Sequence, residues 1–468
     1  MINAISESLS KTDHSYIIAA AGCGKTEAIV KAIAVSSSGR QLVLTHTHAG
    51  VKSLHDRFKK FGVSQSKYSL DTIAGFALKY AASYPVNSGV ASLMPVENEW
   101  ESIYKSANLI LQSNFGKKIL RNSYSSVYVD EYQDCTINQH NLIMAIANEI
   151  PTKILGDPLQ GIFDFNEPVV DWKRDIEPSF HKLPDLIVPH RWNTKNRLLG
   201  QWLVNCRDAL MSGEAISFQH APLTWKPMSR QNQISACFHL FSEKGIVVAI
   251  HSVPNIAHDI ARTLGGRYSS MEDMACQDLL NASDTLEQTN GLARASFIIN
   301  FASRCMTKVS TELRPIKESF DSGRVPDTKR VRKNGDLINT LIFCTQNNDL
   351  NIILDVMKMI EAIPGVSVFR RELWSELQRT IKLYLSNNYA TLKESAWQLR
   401  DLARKRGRKL EYRAISRTLL IKGLEFDHGI VLDADKLDAK NLYVALTRAS
   451  TSLTVLSTQP EIKHLKVM

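Results

Sequence analysis

The chain contains no Cys-x-x-Cys pair, no internal repeat and no low-complexity tract. Its apolar runs, such as Gly245–Ile250, fall far short of the ~18 residues that a membrane-spanning helix needs. The cysteines, Cys23, Cys135, Cys206, Cys237, Cys276, Cys305 and Cys344, stand singly. That spacing excludes a zinc ribbon or a disulfide framework and fits a reducing compartment. Residues 1–16 lack the basic flank and apolar stretch of a signal peptide. A soluble, cytoplasmic protein with no membrane partner is expected. With 22 Gly and 15 Pro in 468 residues, collagen-like and disordered classes are also excluded.

What is present is ample apolar material, 44% of the chain. The length suggests two to four domains, at roughly 100–200 residues each. Lys and Arg number 57 against 47 Asp and Glu, a net charge of +10 that favours a polyanion partner, though weakly over so long a chain.

Short runs rich in Val, Ile and Leu alternate with amphipathic stretches, which predicts an α/β fold with parallel strands. The expected strands are Tyr16–Ala19, Gln41–Thr45, Ser126–Val129, Thr152–Leu155, Leu186–Pro189, Gly245–His251, Ala414–Leu420, Gly429–Asp433 and Ser452–Ser457. Helices are expected at Thr26–Ala34 and Gly50–Phe61. From about Ser269 to Lys409 the strand-like runs thin out, and the stretch reads as a helical insertion. Within it, Leu337–Ile363 breaks at Asn347-Asn348-Asp349 into two helices, and Glu372–Leu385 and Leu392–Arg406 predict two more. Basic clusters at residues 329–333 and 404–409 read equally well as phosphate contacts or as solvated loop and helix ends.

Two segments carry chemistry. Ala19-Ala20-Ala21-Gly22-Cys23-Gly24-Lys25-Thr26 follows a strand and opens a helix, the order that a phosphate loop requires. Gly22 and Gly24 let the backbone wrap an anion, Lys25 reaches the β- and γ-phosphates, and the Thr26 hydroxyl ligates Mg²⁺. Ala21 and Cys23 complete the cradle, in which Cys23 reads either as a thiol of lowered pKa or as a small inert filler. The second segment, Asp130-Glu131-Tyr132-Gln133-Asp134, ends a strand. Asp130 there is placed to hold Mg²⁺ and Glu131 to orient or deprotonate water.

These residues and those that follow resemble the UvrD/Rep-type helicases of superfamily 1. Residues 130–134 are similar to that family's Asp-Glu-Phe-Gln-Asp box. Gly156-Asp157-Pro158-Leu159-Gln160-Gly161-Ile162-Phe163 resembles its Gly-Asp-x-x-Gln-Ser-Ile-Tyr element. Lys422-Gly423-Leu424-Glu425-Phe426-Asp427 and Tyr443-Val444-Ala445-Leu446-Thr447-Arg448-Ala449 resemble its last two motifs. The resemblance implies two RecA-like parallel-sheet domains in tandem with helical accessory insertions. Their bounds would be 1–183, with a reduced insertion at about 84–122, then 184–268 with 410–468, and 269–409 for the helical insertion. It implies ATP and Mg²⁺ as cofactors and 3′→5′ translocation on single-stranded or partial-duplex DNA.

By the same resemblance, Gln160 senses the γ-phosphate and water. Arg191 and Arg448 act as arginine fingers from the second domain, a role worth roughly 10³–10⁵ in rate. Glu425 binds the ribose, and His190 takes the place of an aromatic on adenine. Implied DNA contacts are Thr45, His46, His48, Thr72 and Phe76, with Phe163 and Phe165 as stacking rings. Such stacking contributes roughly 1–3 kcal/mol per base. Phe163 and Phe165 read also as core residues, and His46 and His48 also as a metal pair, though with no third ligand nearby.

The chain departs from the family pattern in three ways. No Gln precedes Thr26 to read adenine, no His precedes Lys422, and the length is expected to hold only a reduced first insertion and one modest helical second insertion, with no fused nuclease. Compact chains of this kind resemble helicase subunits of Gabija-type anti-phage systems, which implies a separate nuclease partner and a role in defence or DNA repair. The alternative function is a nucleotide- and DNA-gated regulatory subunit with little unwinding of its own.

Overall fold

The computed structural model describes residues 2–90, 99–163, 167–273, 276–327, 333–386, 389–406 and 410–463. Strands β1 (His14–Ile18), β2 (Gln41–Thr45), β3 (Tyr68–Thr72), β4 (Ser126–Val129), β5 (Thr152–Gly156) and β6 (His181–Lys182) form one sheet in the order β3-β2-β4-β5-β1-β6. Every pairing in it is parallel. A parallel sheet is covered on both faces, so its central strands are buried along their whole length and mostly apolar. Alternate residues serve opposite layers. Tyr16, Leu42, Leu44, Val127, Val129 and Ile154 pack into one core, and Ile17, Val43, Tyr128 and Leu155 into the other.

After β7 (Ala215–Ser217), a second six-stranded sheet contains β8 (Thr224–Pro227), β9 (Val247–Ile250), β10 (Ser269–Ser270), β11 (Arg413–Ser416), β12 (Phe426–Val431) and β13 (Ala449–Ser457). Its order is β10-β11-β9-β12-β13-β8, with β10–β11, β11–β9 and β9–β12 parallel. The last strand, β14 (Glu461–Lys463), pairs antiparallel with β7. Between β10 and β11 the described chain is helical from Gln277 to Arg406, with its own core around Ile298, Leu341, Met357, Trp374 and Leu377. The fold is thus two RecA-like parallel-sheet domains in tandem with helical insertions. Among the described residues, no helix is long and apolar enough to cross a membrane.

The expected Leu186–Pro189 strand is reduced to a single parallel bridge between Leu186 and Ala19, because Pro184 and Pro189 lack the N–H that a ladder needs. Ala414–Leu420 ends as a strand at Ser416, and Thr418–Ile421 forms a helical turn instead.

By packing, the chain falls into two compact units. The first is 1–224 with 437–452 and 460–468, and the second is 225–436 with 453–459. The segment 184–224, assigned from sequence to the second domain, therefore groups with the first sheet. Within that unit, hydrogen bonds tie it to the end of the chain: Trp192 Nε1 to the Ala449 carbonyl (2.7 Å) and Asn196 Nδ2 to the Thr451 carbonyl (2.9 Å).

Candidate nucleotide site

The carboxyl ends of β1, β2, β4 and β5 share one edge of the first sheet, where open α/β folds place their ligands. From β1 the chain turns through Gly22 (φ 68°) and Gly24 (φ 93°) into the helix Lys25–Val35. Gly24 occupies the helix N-cap with no side-chain hydrogen bond, so no capping side chain covers the N–H groups of the first turn. Gly22 is needed for a second reason. A Cβ there would meet the Trp192 ring at 2.6 Å and the Arg191 Cβ at 2.9 Å.

The loop is braced from two later segments of the same unit. The Arg191 N–H donates to the Gly22 carbonyl (3.2 Å), and the Ala21 N–H donates to Tyr443 Oη (3.1 Å). Trp192 is fully buried behind Gly22. The motifs gave no role to Trp192 or Tyr443, since only the fold brings them to the loop.

At the end of β4, Asp130 Oδ1 accepts from the Glu131 N–H (2.9 Å), and Glu131 adopts a left-handed backbone (φ 57°). From there a chain of contacts crosses the sheet edge. Lys25 Nζ pairs with Glu131 Oε2 at 3.1 Å, and Gln133 Nε2 donates to the same oxygen at 2.6 Å. Gln133 Oε1 accepts from the Asp157 N–H (2.9 Å), and Gln160 Nε2 donates to Asp157 Oδ2 (2.9 Å). Asp157 Oδ1 receives two N–H groups of Arg207, at 3.1 and 3.3 Å.

Electrostatically, burial pushes the Lys25 ammonium down, but Glu131, Asp130 and Asp157 outweigh it and its pKa ends above the ordinary value. Burial, and then the neighbouring Glu131, hold Asp130 well above the ordinary carboxylate range against Lys25. Three carboxylates around one lysine form a centre suited to a cation-bearing polyphosphate. The Thr26 hydroxyl on the first helical turn and the Asp130 carboxylate supply oxygen donors of the kind Mg²⁺ takes.

The other expected residues are placed as follows. His190 is exposed beside the loop, and a Cβ added to Gly24 would lie 3.5 Å from its Cδ2. Arg191 Nη1 donates to the Thr447 carbonyl (2.8 Å), and its guanidinium lies 5.3 Å from the Trp192 ring centre. Arg448 is buried, giving Nε to the Val444 carbonyl (2.9 Å) and Nη2 to Thr447 Oγ1 (2.9 Å). Both arginines belong to the same unit as the phosphate loop, whereas the family pattern puts them on the second domain. Glu425 is an exposed residue of the second unit. Burial, and then Asp157, push the Cys23 thiol up to about 12, which makes it an inert filler at neutral pH.

Thr45 is buried at the end of β2, and His46 Nε2 lies 3.4 Å from Cys135 Sγ. His48 is exposed and opens the helix His48–Lys60, while Thr72 Oγ1 caps the helix Ile73–Ser83 by accepting from Gly75 N–H (2.8 Å). Phe76, an implied DNA contact, is buried in the first unit's core, packed on Tyr80 with ring centres 4.5 Å apart, and does not present its face to solvent. Phe163 is half-buried. Phe165, residues 329–332 and residues 407–409 lie outside the described residues, as do the side chains of 404–406.

Residues 2–166 match the family described as AAA domain. No curated protein is similar enough to match. Among solved structures, arterivirus nonstructural protein 10 (helicase) is similar at 12% identity with DNA bound and at 11% alone, both with a TM-score of 0.35. The similarity covers 97% of this chain and 63% and 61% of those chains, so the chain spans about three fifths of their length. The Pif1 helicase from Bacteroides, in complex with ADP-AlF3 and ssDNA, is similar at 13% identity over 57% of this chain and 56% of its own, with a TM-score of 0.29. Likeness at these values assigns no function.

Proposed function

We propose that the chain is an ATP-hydrolysing motor of the superfamily 1 helicase type, similar to UvrD, that moves 3′→5′ along single-stranded DNA. The observation that carries this reading is the run of contacts from Lys25 through Glu131, Gln133 and Asp157 to Gln160 at one edge of a parallel sheet. It links the phosphate-binding lysine, the carboxylate placed to act on water and the γ-phosphate-sensing glutamine of the motifs.

In this reading, Lys25 exchanges Glu131 for phosphate oxygens when nucleotide enters, which releases Glu131 to take a proton from water. Gly22, Gly24 and the first helical turn bind the phosphates through backbone N–H groups. Thr26 and Asp130 would hold Mg²⁺, which would supply charge neutralisation on the phosphates when bound. Gln160 orients the water, and His190 lies beside the loop where a base can rest. Arg191, whose N–H bonds the Gly22 carbonyl, and Arg448, which follows Tyr443, whose hydroxyl meets the Ala21 N–H, would each leave its present carbonyl partner to meet the developing charge. His46 and His48, at the carboxyl end of β2, are the accessible residues of the expected DNA surface.

The reading is tested by steady-state ATP turnover with and without an oligonucleotide, in Mg²⁺ and in excess chelator. Turnover that requires Mg²⁺ and rises with single-stranded DNA is expected. Nucleotide-independent DNA binding with no turnover would remove the motor assignment. Displacement of a short duplex distinguishes a helicase from a gated regulatory subunit working beside a nuclease.

A further inference from the structure

Arg207 belongs to none of the motifs, yet its side chain is largely buried in the first unit. It projects from the helix Arg197–Ser212 onto Asp157, which is fully buried. We propose that Arg207 is a positioning residue that fixes which end of the Gln160 amide faces the nucleotide. The proposal rests on the reading above, that this site hydrolyses a nucleoside triphosphate.

Donors and acceptors at Asp157 decide the orientation. An ionised carboxylate only accepts hydrogen bonds, whereas a glutamine amide has one accepting and one donating end. Asp157 Oδ1 accepts from Arg207 Nη2 (3.1 Å), Arg207 Nε (3.3 Å) and the Leu159 N–H (3.3 Å). Asp157 Oδ2 is left to accept from Gln160 Nε2 (2.9 Å). The amide must therefore turn its NH₂ toward Asp157 and its carbonyl oxygen away. A carbonyl oxygen takes a hydrogen from water, which is the orientation a water-positioning glutamine needs.

That arrangement needs the carboxylate held in one orientation, and a buried carboxylate is tolerated only beside a compensating cation. Arg207 provides one through two N–H groups. Other charged or titratable groups that act on this site are Lys25, paired with Glu131, the exposed Asp208 at 3.8 Å from Arg207 Nη1, and Cys23 and Tyr443, both shifted toward their neutral forms by burial. Without Arg207, Asp157 Oδ1 keeps only the Leu159 N–H, the carboxylate is no longer held in place, and the Gln160 amide is free to invert so that its NH₂ replaces the carbonyl at the nucleotide.

The test uses the full chain labelled with ¹⁵N-glutamine, with the Gln160 side-chain amide signal assigned by its loss in Gln160→Leu. Arg207→Met is expected to shift that signal and speed its solvent exchange, while Arg207→Lys, which keeps the charge, restores it. In turnover, Arg207→Met should lower kcat by roughly 10–100-fold, the usual scale for partners that orient a functional group, with KM for ATP unchanged. Combining it with Gln160→Leu should cost no more than Gln160→Leu alone. An unmoved amide signal in folded Arg207→Met, or losses that multiply in the double variant, overturns the proposal. Should Arg207→Met fail to fold, Asp157→Asn carries the test. In that background Arg207→Gln should change neither the signal nor kcat, and a further change in either overturns the proposal. A wild-type chain with no turnover whose amide signal still responds to Arg207 would remove the hydrolytic reading and leave the coupling standing.

Discussion

Both units bury charge, but to different ends. In the second unit, Arg370 pairs with Glu272 (2.7 and 2.5 Å) and Asp278 (2.6 Å), and Arg400 pairs with Glu376 (2.7 and 2.6 Å). These contacts tie the residues just after β10 to the helices Gln277–Gln288, Arg371–Leu385 and Leu392–Arg406. Each arginine there meets its acids through short, reciprocal bonds. In the first unit, Asp130, Glu131 and Asp157 crowd around Lys25 beside two positive-φ glycines and a helix start that no side chain caps. Buried charge alone therefore does not mark a site. What marks the site is that its buried charges lie beside two positive-φ glycines and a helix start whose N–H groups no side chain caps.

The sharpest way to break that contrast is Lys25→Ala. It should bring turnover to background and remove nucleotide binding, measured with a fluorescent ATP analogue. Next, Arg370→Met should leave turnover per folded molecule intact but lower stability by about 3–5 kcal/mol, because the buried Glu272 loses its guanidinium, whereas the half-exposed Asp278 keeps Arg304. Denaturant unfolding reads it. A turnover defect without a stability loss would make the second network functional after all.

Gly22→Ala falls between the two networks. Its φ of 68° and the Trp192 ring at 2.6 Å oppose a Cβ, so both nucleotide affinity and melting temperature should fall. A Trp192→Leu change on top of it should recover some of the melting temperature.

The smallest effect concerns a buried charge in neither network. Lys153 on β5 lies 5.4 Å over the Tyr128 ring, and burial lowers its pKa from 10.5 to about 8. Because the unfolded chain binds the extra proton between those values, stability should rise as pH climbs from about 8 to 10.5. Lys153→Met should remove that slope and add about 1–3 kcal/mol at neutral pH.

The central strands were legible in the sequence. Gln41–Thr45 and Ser126–Val129 have the bounds their apolar runs predict, since both faces are buried. The edge strands were not. Tyr68–Thr72 reads as polar because it is only partly covered, and Ser269–Ser270 is too short to show a period. At the site, the motifs named Lys25, Asp130, Glu131 and Gln160, which lie together at the edge of the first sheet. They could not reveal Trp192 behind Gly22 or Arg207 on Asp157, which meet their partners only through the fold. Nor did spacing show that Arg191 and Arg448 pack in the same unit as the loop.

In the proposed reading, Glu131 acts on water while Lys25 and the loop bind phosphate. Single-turnover hydrolysis and nucleotide affinity of Glu131→Gln, measured side by side, test that division of labour most directly. Affinity close to the wild type, with hydrolysis reduced to background, is the predicted result. Hydrolysis near the wild-type rate would contradict it and move the catalytic role to another residue.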